Sequence, residues 1–129
     1  MAELYPLLRE LHFHFSRAGI LIGLVMLAIA IYIGLVRHGD VTRPFRLGVY
    51  AVMGFIALES LIGLIMYAIG GRPYEEVHLI YGLGATLALP FFIYVEVTAR
   101  KRPAMGSYIW GFLLMTAIIV RSIMTGAPG

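Results

Sequence analysis

Of the 129 residues, 60% are hydrophobic and 13% charged, with a formal net charge of +3 and a mean hydropathy of +0.89. A water-soluble domain of this length has no core able to hide so much apolar surface. The few cations stand at the ends of apolar runs, which points to anchoring at lipid headgroups and away from nucleic acid. With no cysteine, disulfides, thiolate metal ligation and haem attachment through Cys-x-x-Cys-His are excluded.

Four runs, over 15–36, 47–69, 77–98 and 106–125, reach the roughly 20 residues that a bilayer crossing needs. They predict an all-α membrane protein, a single transmembrane domain over 1–129. The chain opens with Glu3, Arg9 and Glu10 among apolar residues. It lacks the basic stretch and short apolar core of a cleavable signal peptide, so none is expected.

The first run is preceded by His12 and His14. From His14 to the closing cation Arg37 is 23 residues. Gly19, Gly23, Ala30 and Gly34 fall close to one stripe, where small residues let helix backbones approach in lipid. His12 and Ser16 continue that stripe outward, whereas His14 lies round the helix above Ala18 and Leu21. Spacing therefore favours His12 for the inward face, and composition and depth favour His14; the sequence does not choose. A His12-Phe13-His14 copper or zinc arm is disfavoured, because residues two apart on a helix point about 200° away from each other. His38, in the loop after Arg37, reads as a cap or headgroup contact.

In the second run Glu59 stands 13 residues from both Arg46 and Arg72, near the predicted bilayer midplane. A charge there costs on the order of 3 kcal/mol or more. Glu59 is therefore expected to be protonated or paired inside the bundle, with Thr86 and Thr116 as partners by depth. It shares a face with Gly63, Met66 and Gly70. A Gly70-Gly71-Arg72-Pro73-Tyr74 turn follows, and Glu75-Glu76 are placed to cap the third helix.

His78 opens the third run and lies 22 residues from Arg100, nearly the spacing seen for His14. At roughly 1.5 Å of rise per residue, two such histidines sit at one membrane depth. His78, Gly82 and Ala85 share a face. Pro90 frees the Thr86 carbonyl and predicts a kink, and Glu96 is placed to pair with Arg100-Lys101-Arg102. Around the fourth run, Tyr108 and Trp110, with Tyr50, read as interfacial belt residues. Arg121 marks the far end.

The first and third connections hold six of the ten cations and one acid, Asp40. The positive-inside rule then predicts a multi-pass protein of the inner (plasma) membrane with those loops cytoplasmic. Both termini, His12, His14 and His78 fall on the other side. Short loops predict an up-down-up-down bundle with the first and third helices diagonal. A shift of 64 residues sets His14 on His78 and Arg37 on Lys101, a tandem repeat of two hairpins.

Two imidazoles on parallel helices at one depth suit a haem iron, with His14 and His78 as ligands and His12 as the competing position. Arg17, Arg72, Arg121, Tyr74 and Tyr81 lie on the same side, within reach of propionates. The run Glu59, Gly63, Gly70-Gly71-Arg72-Pro73, His78-Leu-Ile-Tyr81-Gly82 resembles a group of small prokaryotic four-span membrane proteins. Its topology is similar to that of b-type membrane cytochromes and copper-resistance D proteins. The resemblance implies haem b between helices and electron transfer with a quinone or redox partner. The second and fourth runs lack the further paired histidines of di-haem members, so one haem is implied.

Two other readings stand beside it. One is a haem-free accessory or assembly subunit of a larger respiratory or photosynthetic complex, or a homo-oligomer, held by its glycine faces. The other is a proton-coupled carrier or quinone-binding protein centred on Glu59. No Ser-His-Asp set, P-loop or His-Glu-x-x-His is present, which points away from an enzyme acting alone.

Overall fold

A computed structural model describes residues 4–73, 75–98 and 105–126. Helix α1 spans Leu4–Ile31 and widens into a π-helical turn over Tyr32–Val36; α2 spans Arg43–Ala68, α3 Val77–Thr98 and α4 Met105–Gly126. The described residues contain no strand. All four helices are long and apolar enough to cross a membrane, with mean hydropathies of 2.7, 2.1, 1.6 and 1.7. Large apolar side chains therefore face outward along every helix, Leu21, Leu64, Ile80 and Trp110 among them, as lipid-exposed surfaces require.

Local chemistry sets the ends. Thr42 caps α2 by accepting the Phe45 amide at 3.2 Å, with Pro44 in the first turn where its missing N–H is no loss. Gly70, at φ +110°, lets the chain turn back so that the Gly71 amide reaches the Met66 carbonyl at 2.8 Å. Helix α1 starts about three turns before the apolar run, with Pro6 tolerated in its first turn. Those extra turns carry His12. Helix α3 runs through Pro90 without a break.

Each helix packs on two neighbours: α1 and α3 both contact α2 and α4 and lie diagonally opposite one another. The small-residue stripe of α1 faces α4. A Cβ on Gly23 would overlap Thr116 Oγ1, and one on Gly34 would stand 2.9 Å from Met105 Cβ. The core is filled by Val49, Leu89, Met105, Tyr108, Phe112 and Met115.

One expectation changes here. Tyr108 is a core residue with no exposed surface, its hydroxyl donating to Glu96 at 2.9 Å. Only Tyr50 and Trp110 of the belt set are exposed. Glu96 is 4% exposed and takes Arg46 Nη1 at 2.7 Å. Arg100, Lys101 and Arg102 lie outside the described residues.

Candidate functional site

Glu59 sits at the centre of a polar cluster that joins α1 to α2. Its Oε1 stands 3.0 Å from His12 Nδ1, and Ser16 Oγ donates to the same oxygen. The Glu59 carbonyl lies 3.2 Å from His12 Nδ1 as well. Ser16 is one turn past His12 and also reaches the His12 carbonyl at 2.9 Å. Spacing of four puts the two on one helical face, and that face meets α2 at Glu59 and Gly63. Gly63 is required there: a Cβ would stand 2.9 Å from His12 Cε1.

Neither threonine expected as a partner of Glu59 meets it. Thr86 Oγ1 donates to the Gly82 carbonyl at 2.8 Å and meets Ser60 Oγ at 2.6 Å, which ties α2 to α3. Thr116 Oγ1 abuts Gly23 and has no hydrogen-bond partner among the described residues.

His78 is held from the opposite wall. Its Nδ1 lies 2.8 Å from the Ser122 carbonyl, 3.1 Å from Ser122 Oγ and 3.4 Å from Thr125 Oγ1. The ring lies so close to Gly126 that any Cβ there would overlap it. The start of α3 is fixed beside it by the Glu75 amide donating to the Thr125 carbonyl at 2.8 Å.

The His12 and His78 rings thus come together, 6.1 Å between centroids and 81° between planes. In both, Nδ1 faces an acceptor, and a ring that donates from Nδ1 alone carries its free lone pair on Nε2. His14 does not join them. It is exposed on the far side of α1, its Nε2 3.4 Å from Glu10 Oε2. The reason is angular: the helix face that carries His12 and Ser16 to α2 turns His14 away.

Both rings line a cleft of about 620 Å³ bounded by all four helices, with Glu59, Ser60 and Thr86 also on its walls. That volume falls within the roughly 300–1,000 Å³ of small-molecule and cofactor sites. Arg9 and Arg72 stand at its polar rim. Arg72 donates to the Tyr67 and Gly71 carbonyls and covers the Tyr67 ring. Tyr81 and Arg121 are not part of the cleft lining, and Arg121 is exposed. Arg17 lies over the Phe13 ring, and Tyr74 is outside the described residues. Arg9 and the serines at 16, 60 and 122 were not singled out as site residues from the sequence; spacing from the histidines at i+4 would have found Ser16 alone. No group of three or more His, Asp or Glu able to hold a bare metal ion occurs among the described residues.

No protein-family model, curated protein or solved structure matches this chain.

Proposed function

We propose that the chain is an integral membrane b-type haem protein that transfers electrons, and that His12 and His78 would hold the haem. The imidazole pair carries the reading. The two rings stand 6.1 Å apart between centroids on the wall of one cleft, so both would reach a group placed between them. Haem bound there supplies a one-electron couple. The residues around it do the rest. Glu59 orients His12 through Nδ1, Ser16 steadies Glu59, and the Ser122 carbonyl orients His78. Such outer partners fix ring orientation and raise ligand basicity. Arg9 and Arg72 give the rim the positive charge that propionates need.

The same reading takes the bundle as up-down-up-down, with α1 and α3 running in one direction so that both histidines reach one end. Contacts of His12 with Gly63 and of Met26 with Gly48 support antiparallel α1 and α2. The charge bias of the loops supports a plasma-membrane protein with that end non-cytoplasmic.

Titration of the purified protein with hemin, followed by absorbance, tests the assignment. Wild type and His14→Ala are expected to give a six-coordinate Soret spectrum, and His12→Ala and His78→Ala to lose it. A wild type that stays colourless, or a His12→Ala protein with an unchanged spectrum, overturns it. A quinone site is the second reading, favoured by the carboxylate–imidazole pair at 3.0 Å; it predicts quinone-dependent quenching of Tyr67 or Tyr5 fluorescence in a colourless protein.

A further inference from the structure

Most helical glycines here have a packing reason. A Cβ on Gly19, Gly23, Gly34, Gly63, Gly84, Gly111 or Gly126 would meet a side chain of a neighbouring helix. Gly54 and Gly82 have none: a Cβ on either would find no atom within 4 Å, and of the two Gly82 lines the cleft. In a helix interior glycine is less favourable than alanine, so a glycine with empty space beside it calls for another explanation. Gly82 lines the cleft one turn after His78, and its carbonyl is the one that Thr86 holds.

On that side Ser60 Oγ and Thr86 Oγ1 bridge α2 and α3 at 2.6 Å, one turn along α3 from Gly82. Helices α2 and α3 touch least of the four neighbouring pairs. Leu61 and Leu64 on α2 and Leu83 on α3 line the cleft, yet are 52%, 62% and 60% exposed. Residues that do both form an apolar rim. The other rim is cationic, at Arg9 and Arg72.

We infer that the gap between α2 and α3 is a lateral portal, through which a flat amphiphile passes from the bilayer into the cleft, and that Gly82 keeps it open. The apolar lips admit the body of the ligand, and the cationic rim receives its anionic edge. Haem as the ligand rests on the reading above; the route from lipid does not.

The absence of native cysteine makes the test clean. In liposomes, Gly82→Cys is expected to react with lipid-soluble pyrene maleimide and to resist a charged, membrane-impermeant maleimide, with Leu83→Cys as the positive control and buried Thr116→Cys as the negative one. Failure of the lipid-soluble reagent to label Gly82→Cys while it labels Leu83→Cys overturns the portal. Protection of Gly82→Cys by prior addition of hemin supports both portal and haem; labelling that hemin leaves unchanged keeps the portal and overturns haem as its ligand. Independently, Gly82→Leu should keep the wild-type melting temperature or raise it while slowing hemin uptake about tenfold, equivalent to about 1.4 kcal/mol on the barrier. Gly54→Leu is its control, since Gly54 also faces open space but does not line the cleft. Equal uptake by both variants contradicts a gating role for Gly82.

Discussion

At the scale of single residues, Glu59 is explained by its neighbours rather than by its depth. A carboxylate in hydrocarbon needs partners, and here an imidazole and a hydroxyl from α1 supply them. The sequence shows that Glu59 faces inward, through its common face with Gly63, but not which helix it meets. The choice between His12 and His14 is equally angular. The stripe from Ser16 to Gly19 and Gly23 pointed to His12, whereas apparent depth, counted from Arg37, favoured His14; the stripe decides because α1 packs along it. Glu59→Gln keeps an acceptor for His12 Nδ1 but loses the charge, and hemin affinity should fall about 10- to 100-fold, measured by equilibrium titration. Gly63→Ala should weaken binding too, because its methyl displaces His12, while leaving helical content by circular dichroism unchanged.

At the scale of elements, the two ends of the bundle are held differently. Near the start of α4, Tyr108 and Arg46 converge on Glu96 and lock α2, α3 and α4 together. Removing one partner of a fully buried pair costs about 3–5 kcal/mol; Arg46 is 32% exposed, so water screens it and Glu96→Ala should cost about 2 kcal/mol. Thermal melts in detergent read this as a lower melting temperature, with the Soret spectrum unaltered because the network lies away from the histidines. An altered spectrum would mean that the two ends are coupled. Tyr108 reads as a belt residue from its position beside a basic loop, since aromatic residues near interfaces usually are. Only the acid four residues before that loop, Glu96, hints otherwise, and hydropathy does not reveal which polar groups will find each other. At the histidine end residues of all four helices line the cleft instead.

At the scale of the whole molecule, four apolar helices were legible from length and hydropathy, because hydrocarbon thickness dictates both. The small-residue face of α1 was legible for a similar reason, as close helix approach in lipid selects glycine and alanine. The cleft was not, since it depends on how far neighbouring helices diverge, a property no single helix encodes. Sidedness follows from loop charge alone and is open to direct measurement. Impermeant thiol reagents on intact cells should label Arg72→Cys and not His38→Cys, and the reverse pattern would invert the bundle. The central proposal is that the two imidazoles, from diagonal helices and 81° apart in plane, would together hold one haem. Low-temperature electron paramagnetic resonance of the hemin-loaded ferric protein tests it most directly. The 81° between the rings predicts a strongly anisotropic low-spin signal dominated by one large g value, absent from His12→Ala and His78→Ala. A high-spin signal in the wild-type protein, or a low-spin signal that survives in His12→Ala, would contradict it.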